Sequence, residues 1–101
     1  MATTRIIQKV SDITNMDIAE YLRLIEPTEE DLNYITTLIN VAKDYIMKYT
    51  GIDDLDDYTD LIIVVYVICQ DLYDTRSMYV DKNNVNRTVS TILDLHTRNN
   101  L

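Results

Sequence analysis

The sequence predicts an all-α fold, a small bundle of about four helices: a short one, a long one, an apolar one and a C-terminal one. Three observations predict it. Apolar residues recur at helical spacing in four separate windows of the chain. One Gly and one Pro in 101 residues leave too little turn chemistry for a sandwich or a barrel. Hydrophobic residues make up 47% of the chain, enough for a core and too many for a disordered polymer. A chain of this length forms one domain. It is read as an N-terminal extension over 1–12, a helical domain over 13–97 and a flexible tail over 98–101.

The elements follow in order. Residues 1–12 show no sustained period, and Ile6, Ile7 and Val10 suit a turn or a short strand. In ITNMDIAEYLRLI, Ile18, Tyr21, Leu22 and Ile25 share a helical face, with Thr14 or Asn15 as cap and Pro27 as terminator. Thr28 opens the long helix, expected over about 29–49. Thr28 with Asp31 reads as a capping box, and Glu29 and Glu30 complement the helix dipole. Leu32, Ile35, Leu38, Ile39, Ala42, Ile46 and Tyr49 then form one apolar stripe, bordered by Tyr34, Val41 and Tyr45. Gly51 stands where a left-handed C-terminal cap is expected.

The stretch TGIDDLDDYTDL places five aspartates within eight positions, 53 to 60. A calcium loop of the EF-hand type needs oxygen ligands at its first, third and fifth positions, Gly at the sixth and Glu at the twelfth. A loop starting at Asp54 meets Tyr58, Thr59 and Val65 at the last three of those. No metal site is expected. Asp53 and Asp54 are read as turn caps, and Asp56, Asp57 and Asp60 as acids at the start of the next helix.

That helix is expected over about 57–75. Tyr58, Leu61, Ile62, Val65, Ile68, Cys69, Leu72 and Tyr73 keep a helical period beyond the β-branched run LIIVVYVIC. Its opposite side carries Asp60, Ile63, Val67, Gln70 and Asp74, so two aliphatic residues interrupt a face that should be wet. A helix apolar nearly all round is buried on several sides, which a small monomer cannot arrange. Ile63, Val67, Gln70 and Asp74 are therefore the candidate subunit interface. RSMYVDKNN reads as a loop, and Val85, Val89, Ile92, Leu93 and His96 predict a last helix over about 86–97, capped by Asn84 or Asn86.

Composition excludes several functions. A net charge of −8 with scattered basic residues does not suit a reader of nucleic-acid phosphates or an anionic membrane surface. One His and one remote Cys cannot assemble a zinc site within the chain. His96 near a helix end suits the dipole, and Cys69 within the most apolar run suits a buried thiol. No glycine-rich phosphate loop exists, and the paired carboxylates fall at helix starts, so no catalytic activity and no cofactor are expected. With no signal-like segment and no apolar run beyond nine residues, an intracellular, reduced, soluble protein is expected.

The order of elements resembles the small head–tail connector (adaptor) proteins of tailed bacteriophages. DIAEYLRLIEPTEEDLNYITTLINVAKDYIMKYTG and LIIVVYVICQDLYDTRS carry the resemblance, over roughly residues 13–77. The positions concerned are Tyr21, Leu22 and Arg23, then Asp31, then Ala42, Lys43, Tyr45, Ile46, Tyr49, Thr50 and Gly51, then Leu72, Tyr73 and Arg76. The first dozen residues are an extension beyond that pattern, and VNRTVSTILDLHTRNNL lacks the Pro-Tyr-Arg ending common in the family. The resemblance implies a virion protein, assembled in the bacterial cytoplasm into a ring of about a dozen subunits beneath the portal protein. Such a ring extends the DNA channel without sequence-specific binding and offers a seat to the head-closure (stopper) protein. It also implies portal contacts from the C-terminal segment, with Arg87, His96 and Arg98 as candidates. A dozen copies at −8 each would line the channel with on the order of a hundred negative charges, a field that repels passing DNA. The alternative reading is a small helical phage-encoded regulatory or protein-interaction module.

Overall fold

The computed structural model describes residues 7–76 and 87–99. Its helices are α1 (Asn15–Tyr21), α2 (Glu29–Thr50), α3 (Leu61–Thr75) and α4 (Arg87–Asn99). Two short 3-10 turns, Val10–Asp12 and Leu55–Asp57, precede α1 and α3. No strand occurs among the described residues, and the fold is a small all-α bundle.

The long helix begins and ends where local chemistry dictates. The Thr28 side chain accepts from the Asp31 N–H while the Asp31 carboxylate accepts from the Thr28 N–H, so two orphan donors are satisfied reciprocally. At the far end Gly51 adopts φ 76, and its N–H reaches the Met47 carbonyl at 2.9 Å. Thr50 locks the exit. Its hydroxyl donates to the Ile46 carbonyl at 2.7 Å and accepts from the Ile52 N–H at 3.2 Å. The expected stripe is the buried one: Ile35, Leu38, Ile39, Ala42 and Ile46 are enclosed. Tyr49 departs from it, since its ring is partly exposed and its hydroxyl points at Asp94.

Helix α2 is the spine of the bundle. It packs most extensively on α3 and also meets α1 and α4, while α3 meets α4. The core joins the α2 stripe to Ile18 and Ala19 of α1, to Leu61, Val64, Val65, Ile68, Cys69 and Leu72 of α3, and to Val89 and Leu93 of α4. Each fully enclosed Leu or Ile contributes about 1.5–3 kcal/mol through removal from water. Val10, Ile13, Ile52 and Leu55 close one end of this core, as the two 3-10 turns pack together. Val10 thus belongs to the core although the sequence assigns it to an extension. The Ser11 N–H donates to Asp56 Oδ1 at 2.8 Å across that seam.

Three boundaries differ from expectation. α1 stops at Tyr21, six residues before Pro27, because Arg23 turns left-handed at φ 62. Ile25 therefore never joins the helical face assigned to it. α3 starts at Leu61 rather than 57, because the Asp54 side chain accepts from the Asp56 N–H and winds residues 55–57 into a separate 3-10 turn. α4 continues to Asn99, so residues 98 and 99 of the expected tail are helical. Of the expected loop over 76–84 only Arg76, the C-cap of α3, is described, and the proposed caps Asn84 and Asn86 lie outside the described residues.

Candidate interaction surface

Helix α3 owes its two characters to one count. Leu61, Val65, Ile68 and Leu72 recur every three or four residues and face inward, joined by Val64 and Cys69. The thiol of Cys69 is enclosed by apolar atoms, and burial pushes it up to about 12, far from a thiolate nucleophile. The outward side carries the four residues singled out as a subunit interface, and the structure divides them. Ile63 is 55% exposed. Val67 is only half-buried and packs against the core, so it is not the free contact residue expected. Gln70 accepts a hydrogen bond from the Tyr21 hydroxyl at 3.3 Å. Asp74 is exposed.

The division has a physical cause in α1. Tyr21 at its C-terminal end packs edge-on against Tyr66, with ring centroids 5.0 Å apart, and its hydroxyl reaches Gln70. The short helix therefore narrows the outward strip of α3. Below it, Tyr21, Leu22 and Arg23 from the end of α1 face Gln70, Tyr73 and Asp74 of α3 across an open cleft of about 430 Å³. Arg23 and Asp74 give this cleft one charge of each sign. At its C-terminal end the Arg76 guanidinium stacks on the Tyr73 ring at 4.3 Å and borders Tyr34 at 5.8 Å. The Tyr34 hydroxyl is buried without a hydrogen-bond partner.

The C-terminal candidates separate as well. Arg87 is exposed. His96 is not a surface residue: it is 7% exposed, and its Nε2 lies 2.9 Å from both carboxylate oxygens of Asp60. A carboxylate only accepts, so Nε2 carries the proton. The Tyr58 ring meets the imidazole edge-on at 4.7 Å. His96 thus fastens α4 to the start of α3 and is enclosed within the subunit, not free on its surface as a portal contact would be. The Arg98 side chain lies outside the described residues.

The five aspartates scatter rather than converge. Asp54 caps a 3-10 turn, Asp56 receives Ser11, and Asp60 receives His96. Among the described residues no three His, Cys, Asp or Glu side chains are grouped to hold a metal ion. The second anchor of α4 is Tyr49, whose hydroxyl donates to Asp94 Oδ1 at 2.6 Å. That bond, then burial, raises the Tyr49 pKa, whereas Tyr45 beside it is raised by burial first and the Asp94 charge second. These pairs were not legible in the sequence, because their members stand 36 and 45 positions apart.

Among the described residues no helix is long and apolar enough to cross a membrane. No family model, no curated protein and no solved structure matches this chain.

Proposed function

We propose that the chain is a structural head–tail connector subunit of the tailed-phage adaptor kind. It assembles as a ring beneath a portal protein, extends the DNA channel and seats a head-closure protein. The virion is then its place of work. The observation that carries this reading is Ile63, an aliphatic side chain 55% exposed in the first turn of the most apolar helix. Around it Tyr66, Val67 and Gln70 are half-buried. Half-covered aromatic, aliphatic and amide groups beside a free aliphatic are the composition of an interface core more than of a wet helix face. The resemblance of DIAEYLRLI, the long Thr28-to-Gly51 helix and LYDTR to that family supports the same reading. Of the two portal-contact candidates whose side chains are described, Arg87 is exposed and His96 is committed to Asp60.

The test is assembly on portals. Ile63→Asp removes an exposed side chain and should leave the monomer's Tm within a few degrees, since surface changes of this kind stay near 0.5 kcal/mol. The same variant should fail to co-sediment with portal protein under conditions where the wild type forms rings. Rings of Ile63→Asp at wild-type occupancy would place the subunit contact elsewhere and remove the main support for a connector role.

A further inference from the structure

We infer that the turn between α1 and α2 is a docking prong whose Ile25 seats in an apolar pocket, rimmed by Lys and Arg, on a protein other than this chain. Ile25 is 91% exposed, the most exposed large hydrophobic among the described residues. A single exposed aliphatic is common on protein surfaces. Here its presentation sets it apart.

The turn is fastened on both sides of Ile25. Before it, the Arg23 N–H reaches the Glu20 carbonyl and the Leu24 N–H reaches the Ala19 carbonyl, each at 3.0 Å. Leu22 and Leu24 pack against the core. After it, the Thr28–Asp31 capping box fixes the start of α2. Between these anchors the backbone is left-handed at Arg23 (φ 62) and again at Glu26 (φ 49). Glycine would occupy both positions freely, but Arg and Glu pay of order 1–2 kcal/mol each there. Such strain persists where the surroundings over-determine it, and it is concentrated at functional positions. The result is a β-branched side chain held out in solvent by a stiff turn, with little rotamer freedom to lose on binding.

Charge identifies the partner. Glu20, Glu26, Glu29 and Glu30 surround Ile25 in sequence and are exposed, against one exposed cation, Arg23. Four acids and one base leave this tip at −3. A pocket that accepts Ile25 therefore gains most from a basic rim. A ring contact through α3 would be apolar, but at this acidic tip a second copy of the chain, at −8, meets like charge, and an anionic lipid surface repels the same acids. The inference holds whichever assembly the chain joins, because it rests on this turn and not on α3.

The experiment places a photo-cross-linking amino acid at position 25 of the full chain, in the cells that produce it. Exposed Asn40 on α2 serves as the control position. Mass spectrometry then identifies the cross-linked protein and the site within it. Position 25 should label one protein, at an apolar site with Lys or Arg beside it, well above position 40. Toward that purified protein Ile25→Asp should bind at least about tenfold more weakly, while Ile25→Val stays within about threefold. Glu29→Gln with Glu30→Gln should slow association and flatten its salt dependence. Both Ile25 variants should keep the wild-type Tm, and the Gln pair should lose a few degrees with its two first-turn acids. If Ile25→Asp does not fold, the Val and Gln variants and the cross-link decide. Labelling at 25 no stronger than at 40, cross-links only to other copies of the chain, a labelled site without basic residues, or wild-type binding by Ile25→Asp would each overturn the inference.

Discussion

The N-termini of α2 and α3 both follow acidic sequence, yet they are held in opposite ways. α2 is capped from within: Thr28 and Asp31 exchange hydrogen bonds three residues apart, and Glu29 and Glu30 fill the first turn. α3 has Asp60 in the capping position, but Asp60 makes no side-chain cap bond and α3 has no acid in its first turn. Its carboxylate turns instead to His96 on α4. One start is a property of four consecutive residues, and the other is a property of the folded bundle. The comparison teaches that aspartates before a helix do not all serve that helix.

The largest effect expected from this difference lies at His96. Truncating it to Ala removes a buried ring and leaves Asp60 and Tyr58 without their partner. The loss should be about 2–4 kcal/mol, from the cavity and from the missing charge-assisted bond. Asp60→Ala alone should cost less, because that side chain is 51% exposed and water replaces its partner. A double-mutant cycle on urea unfolding measures the coupling directly, and about 1 kcal/mol or more is expected. Additive losses would return Asp60 to a simple dipole role and erase the contrast between the two helix starts.

The next effects belong to α2. Gly51→Val should cost about 1–2 kcal/mol, for backbone reasons only, since a Cβ at Gly51 meets nothing within 4 Å. Thr28→Ala should cost about 1 kcal/mol. Neither loss should depend on His96, so each should add to His96→Ala within about 0.5 kcal/mol in the same denaturation series. A Thr28 effect that vanishes in the His96→Ala background would mean that the α2 cap is tertiary too.

The same distinction explains what the sequence conveyed. The bounds of α2 were legible to within a residue, because Thr28, Asp31 and Gly51 act on the backbone beside them. The start of α3 was misplaced, because the Asp54 side chain bent residues 55–57 into a turn that helical periodicity does not register. Val64 was enclosed without being counted on the inner face, since a helix packed against both α2 and α4 buries a wider arc than one stripe. On the candidate surface, Ile63 could be found by helical spacing, but the partial cover over Val67 could not. Which side of α3 the short helix lies on depends on Tyr21 meeting Tyr66, 45 positions away. Ile25 escaped notice because its spacing fits the α1 face, and no glycine marks the turn at Arg23 that removes it.

The smallest expected effect contrasts two aspartates by sign and sharpens the distinction between held and merely placed acids. Hydrogen bonds from Ser11, side chain first and backbone next, hold the Asp56 carboxyl below its ordinary value. Burial, and then the charge of Asp74, raises Asp71 instead. A lowered folded value means that the unfolded chain binds the proton more tightly. The contribution of Asp56 is therefore present above the unfolded carboxylate range, near pH 4, and is lost as pH falls through the folded value. Asp71 has the opposite sign, since its folded form prefers the proton. It weakens the fold at neutral pH, and the penalty disappears as pH falls through its raised value. Midpoints of urea unfolding taken from pH 7 down to pH 3 separate the two. Asp56→Asn should lie below wild type at pH 6–7 and converge with it in acid. Asp71→Asn should lie level with or above wild type at pH 7, its advantage shrinking in acid. Were Asp56→Asn as stable as wild type at pH 7, the seam between the two 3-10 turns would hold through Val10 and Leu55 without help from Ser11, and Asp56 would join the acids that are only placed there.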